Sequence, residues 1–178
     1  MRSRRDFLKL SALLGLTTGL MKTTTAFAAT KKQPEAIVVS TWEHGLAANE
    51  AAWQVLAKGG RALDAVETGV RVPEADPKVR TVGYGGYPDR DGIVTLDACI
   101  MDEFANIGAV AALQQIKHPV AVARAVMEQT PHVMLVGQGA LDFALAQGFV
   151  AENLLTAESE QEWRQWLKDA NYRPIVNI

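Results

Sequence analysis

Apolar and polar residues recur along the chain with two periods, one typical of helices and the other of strands. Short apolar runs predict strands over 36–42, 94–100, 106–112 and 133–136, and a fifth run begins at Pro174. Apolar positions three and four residues apart predict helices over 47–58, 62–70, 119–129, 140–147 and 158–170. This alternation of strands and helices predicts an α/β or α+β fold in which helices cover a sheet.

Glycine, proline and small residues refine the predicted helices. Gly59 and Gly148 follow helices as stop signals, and Pro119 stands at the first position of another. Small residues on one face of the helix over 62–70 predict close packing against a sheet. The last helix carries an apolar stripe, made of Trp163, Trp166, Leu167 and Ala170.

The stretch over 81–92 is central to the predicted fold, because a glycine-rich loop leads there directly into a strand. Strand alternation then places on one buried face Val94, Leu96, Ala98 and Ile100. The loop does not match a dinucleotide fingerprint, because Pro88 stands where the third glycine is needed. It does not match an EF-hand either, because Ile93 and Ile100 occupy ligand positions without side-chain oxygens. The charged segment over 89–92 is predicted to be a turn.

The first 28 residues are typical of an export leader. Arg4 and Arg5 stand in a twin-arginine motif, a modestly apolar run follows, and Ala26-Phe27-Ala28 fits a cleavage site. The apolar run is too short to span a bilayer. We therefore expect the twin-arginine export machinery to carry the protein, cleavage to follow Ala28, and residues 29–178 to lie in the periplasm.

Charge and cysteine content limit the partners of the chain. The totals are 18 Lys and Arg against 20 Asp and Glu; removing five bases and one acid with the leader leaves 13 and 19, a net charge of −6. Nucleic acids and anionic membranes need a basic face, so neither is expected as a partner. Cys99 is the only cysteine, which rules out an intrachain disulfide. No low-complexity linker divides the chain, which favours one domain.

The nucleophilic residues do not stand in a known catalytic motif. Ser40 and Ser159 are the only serines after the leader, and neither belongs to a G-x-S-x-G segment. Cys99 lies inside a predicted strand and has no base nearby in the sequence. We expect it to be a buried, unreactive thiol.

Histidines and carboxylates likewise predict no metal or acid–base centre. The three histidines have no helical i,i+4 partner for zinc. His118 and His132 flank prolines at the ends of elements, where we expect them to cap helices or face solvent. Asp102 and Glu103 could act as a pair, but adjacent strand residues point to opposite faces. Neither a metal nor a cofactor is predicted.

Six blocks of sequence are too long and specific to match another family by chance. They are Ser40-Thr41-Trp42, GG-x-ALDAVE-x-G over 59–69, VGYGG-x-PD-x-DG over 82–92, TLDA-x-IMD over 95–102, HVMLVG over 132–137 and PIVNI over 174–178. These blocks resemble those of the glycosylasparaginases. The likeness covers essentially the whole chain from Ile37 onward.

The resemblance implies the four-layer αββα fold of N-terminal-nucleophile hydrolases, of which this chain would form the N-terminal half. Such a protein is made as one precursor that cuts itself into an α and a β subunit. The freed threonine attacks the side-chain amide of a glycosylated asparagine, and aspartate and the amino-sugar are released. The α-amine of that threonine serves as its base, which a weakly nucleophilic hydroxyl requires. No cofactor is implied.

The sequence ends before the expected nucleophile. In the family, the block that here spans 174–178 is followed shortly by His-Asp-Thr, and that threonine is the nucleophile. We therefore expect residues 29–178 to be the α-subunit portion, inactive and poorly soluble alone. Its expected partner is the β subunit, in a dimer of αβ units.

Three positions match the substrate pocket of the family. Trp42 matches a tryptophan that helps to place the asparagine moiety; a core tryptophan at a strand end is the alternative. Thr81 stands where a serine commonly offers a hydroxyl near the nucleophile; a threonine at a strand start is the alternative. His44 stands where bacterial members often carry phenylalanine, so it could change leaving-group preference or be a solvated loop residue.

Two other functions remain open. The related plant-type asparaginases, or isoaspartyl peptidases, would cleave an isoaspartyl dipeptide faster than glycosylasparagine. A non-catalytic paralogue that acts as a binding or assembly module would fold, or copurify with a partner, and hydrolyse neither substrate.

Overall fold

Five helices and three strands occupy the part of the chain that the computed structural model describes, residues 36–170. The helices are α1 (Gly45–Leu56), α2 (Ala62–Ala75), α3 (Pro119–Gln129), α4 (Gly137–Ala146) and α5 (Ala157–Asp169). The strands are β1 (Leu96–Met101), β2 (Ile107–Leu113) and β3 (Met134–Val136). The predicted mixed α/β class is confirmed. The predicted leader and the apolar run from Pro174 lie outside the described residues.

The three strands form one mixed sheet in the order β1–β2–β3. β1 runs antiparallel to β2, and β2 runs parallel to β3. The register of the first pair shifts between Leu96 and Ala98, as at a β-bulge. At this irregularity the Asp97 carboxylate accepts a hydrogen bond from the backbone N–H of Ala112, at 2.7 Å. A side chain thus pairs with a backbone donor where the ladder is interrupted.

Helices α3 and α4 cover one face of this sheet and enclose the main core. Gly108 of β2 lets α3 come close, because a Cβ at this position would overlap the carbonyl oxygen of Ala123. Of the predicted inward face, Ile100 is buried in this core and Ala98 is partly buried against it. Val94 and Leu96 are also buried, but in a second, smaller cluster with Leu154. The largest fully buried apolar residues within the described range are Leu113, Ile116, Val110, Val120, Val122 and Val126.

The opposite side of the sheet, here called the open sheet face, is largely exposed. It carries Cys99, Met101, Ile107, Met134 and Val136. Ala109, which pairs with Cys99 and Met134 on this side of the sheet, is buried. The four residues other than Cys99 expose between 43% and 60% of their surface. A sheet with one covered and one exposed apolar face can accept a further layer.

Helices α1 and α2 pack against each other through small residues. A Cβ at Gly69 of α2 would lie 2.7 Å from the carbonyl oxygen of Ala48 and 3.2 Å from the Cβ of Ala52. The prediction that these small residues pack closely against a sheet is therefore wrong, because α1 is their neighbour. Small side chains permit close approach to any backbone, so the pattern alone does not identify the neighbour.

A cluster of charges joins α2 to α3. Arg124 of α3 lies 2.7 Å from Asp64, 2.8 Å from Glu67 and 2.9 Å from Glu128. Burial acts to lower the pKa of the Arg124 guanidinium, but hydrogen bonds to the three carboxylates outweigh it and raise the pKa overall. The guanidinium therefore stays charged and holds the two helices together.

Some apolar segments are more exposed to solvent than their sequence pattern predicts. Residues 36–42 do not form the predicted strand, and Ile37 and Val39 are both 80% exposed. A strand needs a neighbour for its N–H and C=O groups, and no described strand pairs with this stretch. Trp166, which belongs to the predicted apolar stripe of the last helix, is 44% exposed. Within residues 36–170 no helix has the length and apolar character to cross a membrane.

Candidate functional site

One cavity of about 550 Å³ collects all three residues that the resemblance assigned to a substrate pocket. The turn before α1, the end of α2, the glycine-rich loop, β1 and the start of α3 all contribute to its wall. Trp42, His44 and Thr81 line it, together with Glu74 and Cys99. We refer to it as the Trp42 cavity.

Trp42 and His44 lie side by side at the edge of this cavity. Their ring centroids are 6.1 Å apart and their planes differ by 14°. Trp42 is 67% exposed, so it is not a core residue in the described chain. The turn below it is closed by a 2.9 Å hydrogen bond from the N–H of Gly45 to the carbonyl of Trp42. Stacked rings of this kind offer a flat surface to a ligand.

Thr81 lies in a turn and not at the start of a strand. The chain behind it is fixed by a 2.7 Å hydrogen bond from the N–H of Tyr84 to the carbonyl of Glu74. Gly83 has a φ of +58° and lies so close to Glu74 that a Cβ would overlap its carbonyl oxygen. Only glycine combines this backbone angle with this contact at low cost. The exposed Thr81 side chain is thus held at the cavity by a tight turn.

Glu74 is a residue of the cavity that the sequence analysis missed. It is 3% exposed, and its carboxylate accepts a 3.1 Å hydrogen bond from the N–H of Val120. Burial raises the pKa of the Glu74 carboxyl, and hydrogen bonds from His118 and Val120 counter this only in part. One signal was present in the sequence: Glu74 follows Val70 by four residues, on the apolar face of α2, where a charge needs a partner.

Cys99 is exposed, so the prediction of a buried thiol is wrong. The strand period was predicted correctly and puts Cys99 on the opposite face from Ile100. The strand period does not show whether the face that carries Cys99 is covered, and in the described chain Cys99 lies exposed. In the described chain Cys99 lines the Trp42 cavity.

The prediction that His118 caps a helix or faces solvent is wrong. It occupies the N-cap position of α3 but makes no side-chain capping bond there. Its Nδ1 lies 3.1 Å from the carboxylate of Glu74, and its side chain is only 19% exposed. It is therefore neither a capping nor a solvated histidine, whereas His132 is exposed as predicted.

Asp102 and Glu103 do not point in opposite directions as predicted, because both carboxylates lie close to the guanidinium of Arg61. Arg61 lies 3.4 Å from Asp102 and 2.9 Å from Glu103. The strand ends at Met101, so its alternation no longer separates the two carboxylates. Among residues 36–170 no group of three or more histidines, cysteines and carboxylates is arranged to hold a metal ion.

The geometry of the Trp42 cavity is suited to binding and orienting a small polar molecule. Trp42 and His44 supply flat surfaces, and Thr81 supplies a hydroxyl that can donate or accept a hydrogen bond. Glu74 contributes from the interior, where both of its carboxylate oxygens already have partners. The mixture of apolar walls and a few fixed polar groups is typical of ligand sites.

Comparisons with known proteins give consistent matches over most of the chain. A family model described as asparaginase matches residues 21–176. An N(4)-(beta-N-acetylglucosaminyl)-L-asparaginase of Elizabethkingia miricola is 61% identical over 99% of this chain and 53% of its own length. The enzyme of that name from Rattus norvegicus is 47% identical over 75% of this chain and 39% of its own length. The chain thus spans about half, or less, of the length of these relatives.

Proposed function

The chain belongs to the asparaginase family, and from this premise we propose that it forms the α-subunit portion of a glycosylasparaginase. Such an enzyme hydrolyses the amide between the asparagine side chain and an N-acetylglucosamine. The observation that carries the proposal is the meeting of Trp42, His44 and Thr81 in one cavity. The 61% identity to a protein named for this activity supports it.

The proposed reaction divides the work between two subunits. A threonine at the start of the β subunit attacks the amide carbonyl, and its α-amine takes the hydroxyl proton. The α-amine passes this proton to the amide nitrogen, the C–N bond breaks and the amino-sugar leaves as the β-aspartyl ester forms. Water then hydrolyses the ester, which frees aspartate and the threonine hydroxyl. This chain contributes binding: Trp42 places the asparagine moiety, Thr81 orients groups near the nucleophile, and His44 faces the leaving group.

The test compares substrates with the purified full-length protein. We expect glycosylasparagine to be hydrolysed faster than L-asparagine or an isoaspartyl dipeptide, with aspartate as a product. Faster cleavage of the dipeptide would instead identify an isoaspartyl peptidase. Binding of glycosylasparagine without hydrolysis would identify a non-catalytic module.

We also propose export to the periplasm by the twin-arginine route. The support is the motif at Arg4 and Arg5 followed by an apolar run and the Ala26-Phe27-Ala28 segment. The double substitution to lysine, R4K/R5K, should keep the protein in the cytoplasmic fraction with its leader uncut. Periplasmic recovery of that variant would contradict the proposal.

The proposed partner is a β subunit generated by autoproteolysis, in a dimer of αβ units. Two observations support a further layer of protein: the open sheet face is apolar, and the relatives are about twice as long as this chain. Denaturing electrophoresis of the active protein should show two polypeptides where an uncut precursor would show one.

A further inference from the structure

Glu74 is the one charged residue buried among residues 36–170, and its carboxylate connects to two other parts of the chain. One oxygen accepts the hydrogen bond from the N–H of Val120, in the first turn of α3. The other lies 3.1 Å from Nδ1 of His118, in the loop before that helix. A side chain of α2 therefore sets where α3 begins.

The backbone of Glu74 makes a third connection. Its carbonyl accepts the 2.7 Å hydrogen bond from Tyr84, and Gly83 lies in direct contact with it. The turn that carries Thr81 is thereby attached to the same residue that holds α3. Glu74, Thr81, Gly83 and Val120 all line the Trp42 cavity.

The hydrogen-bond acceptor at the start of α3 comes from another helix. The first N–H groups of a helix need partners from outside it, and a polar side chain just before the helix commonly supplies them. Here Pro119 has no N–H, and His118 makes no side-chain capping bond. The acceptor comes instead from α2, so the end of α2 cannot shift relative to α3 without breaking a buried hydrogen bond.

We propose that Glu74 is a positioning residue of the Trp42 cavity, which it shapes through its reach rather than through its charge. It fixes the turn of Thr81 against the start of α3, and so sets the distance across which a substrate must fit. Its effect on catalysis rests on the proposed function, whereas its effect on the shape of the cavity does not.

Two substitutions separate reach from charge. Glu74→Gln keeps the length and the acceptor for Val120 but removes the charge; Glu74→Asp keeps the charge but is one methylene too short to span both partners. We expect E74D to raise KM for glycosylasparagine about tenfold or more, because small misplacements in a site have large effects, and E74Q to stay within about threefold of the parent. The matched control for stability is Ser159→Ala, which removes a fully buried hydroxyl from the capping box of α5, away from the cavity.

The second readout does not require activity. Cys99 lines the cavity and is the only cysteine within residues 1–178. Its rate of alkylation by iodoacetamide, measured by mass spectrometry on the peptide that contains Cys99, therefore reports access to that cavity. We expect E74D to change this rate at least about threefold, while E74Q and S159A keep the parental rate.

Several outcomes would overturn the proposal. One is an E74D variant whose KM and alkylation rate equal those of the parent. Another is a raised KM in E74Q together with a parental KM in E74D, which would assign the role of Glu74 to its charge. If E74D and S159A change KM and the alkylation rate by the same amounts, Glu74 contributes only to general stability. If the parent hydrolyses nothing, the proposed function fails, and the alkylation rates still decide the role of Glu74.

Discussion

At the scale of single residues, Glu74 combines opposing electrostatic effects. Removal from water disfavours its charged form, whereas the Val120 N–H and the His118 ring favour it. Burial is the largest of these effects, so the pKa of the Glu74 carboxyl is raised. Arg71 of the same helix favours the charged form more weakly. The folded protein therefore holds this proton to a higher pH than the unfolded chain does.

This shift predicts how stability depends on pH. A raised pKa in the folded state gives a contribution that is full below the ordinary glutamate range and is lost as pH rises through the folded value. Glu74→Gln cannot ionise and does not undergo this loss. Between about pH 4 and pH 7 we expect the Tm of E74Q to rise relative to that of the parent. Thermal unfolding across this range checks the sign, and a constant or falling difference would contradict it.

Trp42 allows a second prediction at this scale. Because it is mostly exposed, Trp42→Ala should lower the free energy of unfolding by less than about 1 kcal/mol. It removes the flat surface shared with His44, so KM for glycosylasparagine should rise about tenfold. Phe104→Ala is the matched control, since Phe104 is 74% exposed and does not line the cavity. A parental KM in W42A would remove Trp42 from the proposed pocket.

At the scale of elements, α2 and α3 are joined by the Arg124 cluster as well as by Glu74. Arg124 faces three carboxylates at 2.7 to 2.9 Å and is only 21% exposed. Arg124→Met keeps much of the length but leaves those carboxylates to repel one another. We expect it to lower the free energy of unfolding by about 1–3 kcal/mol, measured by urea denaturation.

The control for Arg124 is an exposed ion pair within one helix. Arg164 of α5 pairs with Glu160 four residues earlier and is 64% exposed. Arg164→Met should therefore change the unfolding free energy by less than about 1 kcal/mol. If Arg124→Met and Arg164→Met lower the free energy of unfolding by similar amounts, Arg124 makes no special contribution to the contact between α2 and α3.

Local signals explain which elements were predictable. Pro119 and the apolar spacing after it place α3 at its observed limits, because both signals act within the helix itself. The stretch over 36–42 has strand composition but no strand, since pairing depends on a neighbour that local pattern does not contain. The prediction that Cys99 is buried was wrong for a related reason. The strand period determines on which face Cys99 lies, but only tertiary packing decides whether that face is covered.

The site was predictable where the matching blocks of sequence reach it. Trp42, His44 and Thr81 were assigned by resemblance, and the structure brings them to one cavity. Glu74 carries no motif, and its importance depends on His118 and Val120, which are more than forty residues away in the sequence. Such a contact is a property of tertiary packing and cannot be read from local pattern.

At the scale of the whole molecule, the sheet has two unequal faces. Helices α3 and α4 cover one of them, and apolar side chains remain exposed on the open sheet face. Exposed contiguous apolar surface is uncommon in proteins that act alone and is typical of interaction sites. Under the proposed function, this face is where the β subunit would pack.

A charge on the open sheet face should therefore block assembly. Met134 of β3 is 53% exposed, so Met134→Glu should be tolerated by the helix-covered core but should oppose burial against a second layer, because an unpaired buried carboxylate is costly. In size-exclusion chromatography we expect the α and β polypeptides of this variant to separate or aggregate, with loss of hydrolysis. Val150→Glu is the matched control, at a 78% exposed apolar position outside the sheet, and should assemble normally. Normal assembly of both variants would mean that the β subunit packs elsewhere.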